Sequence, residues 1–222
     1  MSKIPIVLAT RNQGKIREIT DLLSGYDIDI KSLNDFGPIP EVDEDGDTFE
    51  DNAYIKAHFT ARVLGLPAIA DDSGLVVDVL DGAPGVYSAR YAGEEANDEE
   101  NNRKLLNEMA NKANRKARFE TALIIAVPRG PALTYIGKVE GEITGSPQGD
   151  NGFGYDPLFY YPPMSKTFAQ MTGEEKNSIS HRGKAVKELA GEFDKVLIWL
   201  KNRMAEEPYG ADECYNPAHS HE

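Results

Sequence analysis

Two adjacent carboxylates, Asp71 and Asp72, stand inside the apolar stretch AIADDSGLVVDVL, Ala68 to Leu80. Other acidic pairs occur, Glu94–Glu95, Glu174–Glu175 and Glu206–Glu207 among them, but most of the acidic runs lie in polar surroundings. A carboxylate where an apolar strand segment gives way to Ser-Gly suits a hard cation. Mg2+ takes one or two protein carboxylates and leaves its other positions to water and phosphate oxygens. A second ligand would come from the acidic loop EVDEDGD, Glu41 to Asp47, whose spacing does not select among its five acids. The competing reading is a solvated acidic turn beside a flexible anionic loop.

Three further segments have residue types that could act on a polyanion or a planar ring. TRNQGK, Thr10 to Lys15, falls between an apolar strand pattern and a helical one. The orphan N–H groups of a helix start and the Lys15 ammonium would face an anion there. It is not a Walker A loop, because Ala9 stands where that pattern needs Gly and Ile16 where it needs Ser or Thr. The competing reading is an ordinary strand-to-helix turn. GFGYDP, Gly152 to Pro157, flanks Phe153 with glycines, which would leave one aromatic face open for a base to stack on; otherwise it is a Gly-rich turn with Phe153 and Tyr155 tucked inward. EEKNSISHRGKA, Glu174 to Ala185, gathers Lys176, His181, Arg182 and Lys184 near the start of the last helix. Cations are mildly unfavourable at a helix N-terminus, so a phosphate or an electronegative ring edge explains them better than a solvated first turn does.

The elements that must position these groups follow from hydrophobic periodicity. Ile4 to Ala9 reads as a buried strand, and Ile16, Ile19, Leu22 and Leu23 recur at helical spacing. A second strand is expected around Ile28 to Leu33, then a Pro-containing acidic loop, then a helix starting near Thr48 with Asp51 placed as in a capping box. The stretch around ADDSG predicts two short strand segments separated by a turn. GAPGVYSARYAG, Gly82 to Gly93, predicts a loop with aromatic and Arg content. A helix from about Ala96 to Ala110 is followed by strands Phe119 to Val127 and Leu133 to Ile143. One long amphipathic helix is expected from Ser180 or His181 to Met204. Strand–helix–strand order at the start and adjacent strands in the middle predict an α/β protein with a mixed sheet. Residues 1–204 would form a single domain, and Ala205 to Glu222 a polar, disordered tail whose His219, His221 and Glu222 could hold a metal adventitiously.

With 222 residues and 40% apolar content the chain can bury a sizeable core. A formal charge of −13 argues against nucleic acid or an anionic membrane as partner, so a polyanionic substrate needs locally placed Lys, Arg or metal. Cys214 is the single cysteine, which excludes a disulfide within the chain and suits a cytoplasmic setting. The N-terminal apolar run of six residues is not a secretory pattern, and no segment has the length of a membrane span.

Taken together, TRNQGK, TFEDNAYIKA, ADDSGL, GAPGVYSARYAG, GFGYDP and EEKNSISHRGKA resemble the inosine triphosphate pyrophosphatase family. They occur in the family's order and cover roughly residues 4 to 204. The resemblance implies an elongated, two-lobed α/β fold whose long curved mixed sheet is flanked by helices, with an active-site cleft between the lobes, usually as a homodimer. It also implies Mg2+-dependent hydrolysis of ITP, dITP and XTP to monophosphate and pyrophosphate, which removes these nucleotides from the pool.

Position by position, the same resemblance implies that Thr10, Arg11, Asn12, Gln13, Gly14 and Lys15 hold the triphosphate, with Lys56 reaching it too. Asp72 would be metal ligand and general base, Glu44 the second metal ligand, and Ser73 a substrate contact. Phe153, Gly154, Tyr155 and Asp156 would surround the base, and Lys176, His181 and Arg182 would complete its pocket. Asp71 is left to shape the turn or support its neighbour, and Gly82 to Gly93 would be a cleft wall or a subunit contact. Two other classes compete: a nucleotide sensor without catalysis, disfavoured by the presence of both Glu44 and Asp72, and a phosphotransferase, disfavoured by Ala9 and Ile16.

Overall fold

The computed structural model describes residues 3–40 and 42–205. All of the expected tail beyond Ala205, with its histidines, lies outside the described residues.

Among the described residues seven strands form one sheet in the order β2-β1-β3-β4-β5-β6-β7. They are β1 Ile4–Leu8, β2 Ile28–Ser32, β3 Ala68–Val77, β4 Lys116–Ala126, β5 Leu133–Ile143, β6 Phe159–Tyr161 and β7 Lys166–Thr167. β1 pairs in parallel with β2 and β3, and every later pairing is antiparallel. The sheet is therefore mixed, as expected. Among the described residues six α-helices flank it: α1 Gln13–Leu23, α2 Phe49–Leu64, α3 Asp98–Met109, α4 Gly173–Ile179, α5 His181–Gly191 and α6 Phe193–Ala205.

The two strand segments expected around ADDSG are one strand. β3 runs unbroken for ten residues and pairs with β4 from Ala68↔Ala126 to Val77↔Ala117. Periodicity sees only the polar interruption; the ladder is completed by β4, far along the chain, and the carboxylates find cationic partners without leaving it. The long last helix is likewise two, broken at Glu192, which follows Gly191 and has φ −121, ψ 7. Its apolar stripe survives the break, since Val186, Leu189, Phe193, Val196 and Leu200 are buried in one cluster.

Side chains alternate across a strand, so β3 serves both faces. Ala68 and Ala70 lie with Ala122, Ile124 and Ala126 against Ala53, Ala57 and Ala61 of α2. These alanines repeat every fourth residue and let the helix approach the sheet closely. On the other face Ile69, Leu123, Ile125 and Tyr135 pack beneath α1, α5 and α6. Farther along the strands Leu75, Val77, Phe119 and Val139 join Leu105, Phe159 and Phe168 in a second cluster. Between these two clusters the same face is polar and small: Asp71, Ser73, Thr121 and Gly137, where Ser73 pairs with Thr121 and Thr121 with Gly137. That polar gap is where the first turn of α5 comes down.

Gly137 permits the approach, because a β-carbon there would lie 1.9 Å from the His181 carbonyl oxygen. Gly137→Ala must push α5 away from the sheet. An overpacking cost of about 1–3 kcal/mol is expected, seen as a Tm about 2–12 °C lower in thermal melting of a domain this size.

Candidate active site

β1 delivers Thr10 to Asn12 at its C-terminal end, and Asn12 caps α1 by accepting from the Lys15 N–H at 3.1 Å. The Thr10 hydroxyl accepts from the Asn12 N–H, also at 3.1 Å, which fixes the turn. One helical turn on, Lys15 reaches across to β3, with Nζ 2.9 Å from Asp71 Oδ2 and 3.1 Å from its carbonyl oxygen.

On the α2 side, Thr48 caps the helix by accepting from the Asp51 N–H at 3.1 Å. Asn52 ties the acidic loop down by accepting from the Gly46 N–H at 2.8 Å. The alanine face then places Lys56 Nζ 2.7 Å from Asp72 Oδ1 and 2.9 Å from Glu44 Oε2. Among the described acids of that loop, Glu44 is the one that converges with Asp72 on Lys56.

Strand alternation makes the adjacent carboxylates unequal. Asp72 faces α2; burial pushes its carboxyl up, Lys56 and Lys15 oppose that, and the Glu44 charge adds to it. Asp71 faces α1 and α5 and is 2% exposed. Burial pushes it up as well, but Arg182 and Lys15 outweigh burial and hold it well below the usual carboxylate range. It is a fixed anion, bonded to Arg182 Nε at 3.0 Å and Nη2 at 3.1 Å and accepting from the Thr121 hydroxyl at 2.6 Å.

The GFGYDP loop is held from three sides. The Asp156 carboxylate accepts from the Phe153 N–H at 3.0 Å. From α3, Asp98 accepts from the Gly154 N–H at 2.7 Å and Asn102 donates to the Gly154 carbonyl at 2.9 Å. The Tyr155 hydroxyl donates to the Ser88 carbonyl at 2.9 Å. Gly152 and Gly154 both have positive φ, 79° and 61°, so the turn needs them. The Phe153 ring lies against Gly14, where a β-carbon would meet its nearest ring carbon at 2.6 Å. Lys176 Nζ stands 4.8 Å from the ring centroid and Arg182 Cζ 5.8 Å.

Lys176 is buried between Asp156 Oδ2 at 2.5 Å and Glu18 Oε1 at 2.6 Å, and Glu18 also pairs with Arg182. Burial raises the Asp156 carboxyl against the pull of Lys176. The His181 ring stacks on Phe119 with centroids 4.8 Å apart and planes at 12°. Burial, and then the Arg182 charge, hold its pKa well below the ordinary 6.5, so the imidazole is neutral. Its Nδ1 is buried without a hydrogen-bond partner among the described residues.

These groups line one cavity of about 470 Å³. Thr10, Arg11, Asn12, Lys15, Glu44, Lys56, Asp72, Ser73, Phe153, Gly154, Tyr155, Asp156, Lys176, His181 and Arg182 are on its wall. Gln13 and Gly14 are not; Gly14 acts behind the wall as the seat of the Phe153 ring. The Gly82–Gly93 segment, left open between cleft wall and subunit contact, contributes Val86, Ser88, Ala89 and Arg90 to the cavity.

Sequence reasoning missed Glu18, Thr121, Asp98 and Asn102. Only Glu18 carried a local signal, since it follows Lys15 by three positions and so shares a helix face with it.

Glu44 and Asp72 supply hard oxygen donors on the cavity wall, and among the described residues no group of three His, Cys, Asp or Glu is placed to hold a metal. A pair of carboxylates fits Mg2+, which draws the rest of its shell from water and phosphate. It does not fit zinc, which takes three or four protein ligands. The cavity therefore combines cations for a polyanion, a carboxylate beside them that can take a proton, and an aromatic ring with buried donors.

The model of the Ham1 family matches residues 6–192. A dITP/XTP pyrophosphatase of Syntrophobacter fumaroxidans is 60% identical over 202 residues, 91% of this chain and 87% of that protein. One of Desulfotalea psychrophila is 55% identical over 202 residues, 91% of each. The structure of the Staphylococcus aureus Ham1 protein matches with a TM-score of 0.78 at 42% identity, covering 86% of this chain and 99% of that one.

Proposed function

The chain belongs to the Ham1 family, and from that premise we propose that it hydrolyses non-canonical purine nucleoside triphosphates, dITP, ITP and XTP, to monophosphate and pyrophosphate. The observation that carries this reading is the joining, on one cavity wall, of Lys15, Lys56, Glu44 and Asp72 to Phe153, Lys176, His181 and Arg182. The first group suits a triphosphate and an attacking water; the second suits a planar base with an acceptor on its edge.

In this reading Lys15 and Lys56 neutralise phosphate charge, and Asp72 takes the proton of the water that cleaves the anhydride between the α- and β-phosphates. Glu44 and Asp72 would hold Mg2+, which supplies further charge neutralisation when bound. Phe153 stacks on the base, and Thr10, Arg11, Asn12 and Ser73 line the phosphate side. Residues 1–204 are taken as one domain that acts as a cytosolic homodimer; the lone Cys214 supports a reducing compartment.

Pyrophosphate release with Mg2+ across dITP, ITP, XTP, GTP and ATP tests the function. Rapid release from the first three with slow release from ATP is expected; equal rates on ATP, or none on any, would overturn it. Glu44→Gln, which removes one anionic donor, is expected to raise the Mg2+ concentration for half-maximal rate by about tenfold or more, equivalent to about 1.4 kcal/mol. A magnesium titration that superposes on the wild type would remove Glu44 as a ligand.

A further inference from the structure

We propose that Asp71 is a positioning residue that couples base reading to phosphate binding, so that the position of a phosphate-holding lysine influences base preference. The proposal rests on the reading that the cavity takes a purine nucleoside triphosphate. Lys15 and Arg182 come from α1 and α5, and both bond to the same buried carboxylate. Lys15 takes Asp71 Oδ2 at 2.9 Å, while Arg182 takes Oδ1 through Nε and Oδ2 through Nη2. Ser73, two residues along the same face of β3, donates to Asp71 Oδ2 at 3.0 Å and accepts from Arg182 Nη2 at 2.9 Å. Thr121 on β4 closes the set with its bond to Oδ1.

Ion pairs continue without a gap from this carboxylate to the base loop. Arg182 pairs with Glu18, Glu18 with Lys176, and Lys176 with Asp156, whose carboxylate accepts from the Phe153 N–H. Charges alternate along the whole chain from Lys15 to Asp156. In a buried setting each such bond depends strongly on its neighbours. A triphosphate that draws Lys15 away leaves Asp71 with Arg182 as its single cationic partner, which tightens its grip on the guanidinium and fixes the donors that face the base. Coupling of binding free energies is reciprocal, so a base that fits Arg182 also favours transfer of Lys15 to the phosphates. A carboxylate that only filled a structural role would leave the phosphate lysine indifferent to which base is bound.

The test is the ratio of kcat/KM for ITP to that for ATP. Lys15→Met removes a contact to phosphates that both substrates share. In Lys15→Met the Asp71 carboxylate holds Arg182 as its single cationic partner before substrate arrives, an arrangement the wild type reaches only by transfer of Lys15 to the phosphates. The ratio is therefore expected to rise by about fivefold or more, and the same substitution made in Asp71→Asn is expected to leave the ratio of that variant unchanged. An unchanged or lower ratio in Lys15→Met alone overturns the proposal, as does an equal rise in both backgrounds. The first comparison needs no change at Asp71, so the proposal stays open to refutation if Asp71→Asn does not fold. Failure of the wild-type chain to release pyrophosphate from ITP or dITP would overturn the proposed function; wild-type turnover with an unchanged or lower ratio in Lys15→Met overturns only the role of Asp71.

Discussion

Asp72→Asn is expected to lower kcat for pyrophosphate release by about 10²- to 10⁴-fold, the range for loss of a positioned general base, while nucleotide still binds. The substitution is nearly isosteric, and Asp72 pairs with Ala122 through the β3–β4 ladder, which its side chain does not touch. An amide oxygen can still accept from Lys56, so the cation now held at 2.7 Å stays in place. What the amide cannot do is receive a proton from water or contribute a negative charge to a metal. Lys15, Lys56 and Arg182 remain to hold the ligand, so calorimetric titration with dITP in the absence of Mg2+, where the wild type is not expected to turn it over, should give a Kd close to that of the wild type. A kcat reduced less than tenfold would show that another group takes the proton. Comparable loss of binding would place Asp72 in ground-state affinity rather than in the chemical step.

In the proposed reading Asp72 and not Asp71 takes this part, since a period of two turns Asp72 to the α2 side and the cavity and Asp71 to α1 and α5, yet the sequence pattern concealed the strand. The polar DDSG step reads as a turn because its compensation lies elsewhere: β4 supplies the ladder, Lys56 meets one carboxylate, and Arg182, 111 positions away, meets the other. Local signals did better where the physics is local. Thr48 was legible as a helix start because a cap bonds within three residues. Gly191 and Glu192, by contrast, break a helix whose apolar stripe continues in register, so periodicity runs straight over the break. Gly137 could not be read as a spacer at all, since what it makes room for is the backbone of His181 on a distant helix. The motifs located many of the residues of the cavity, but of the partners that hold them only Glu18 left a local trace, and Thr121 and Asp98 became visible only with the fold.

Arg182→Ala is expected to have two separable effects, one on stability and one on base preference. Arg182 is 2% exposed, and its guanidinium bonds Asp71 through Nε and Nη2, Ser73 through Nη2 and Glu18 through Nη1. Of the five N–H groups a guanidinium carries, the second on Nη1 is not committed to those partners. In the proposed reading that N–H meets the exocyclic 6-oxo oxygen at the base edge. Truncation to Ala leaves the Asp71 and Glu18 carboxylates buried with a main partner gone. Breaking a buried pair in this way costs about 3–5 kcal/mol, and the Tm should fall by about 6–20 °C for a chain of this size. Loss of the donor also removes the penalty that an amino group at the purine 6-position pays against it, about 1–3 kcal/mol, so the ITP to ATP ratio of kcat/KM should drop by about 5- to 150-fold. Arg182→Lys separates the two effects. An ammonium can still balance Asp71, so much of the stability should return, but it cannot span Asp71, Ser73 and Glu18 while presenting an N–H to the base, so the preference should stay low. Recovery of the preference in the lysine variant would show that charge alone, and not the held fork of the guanidinium, distinguishes the bases.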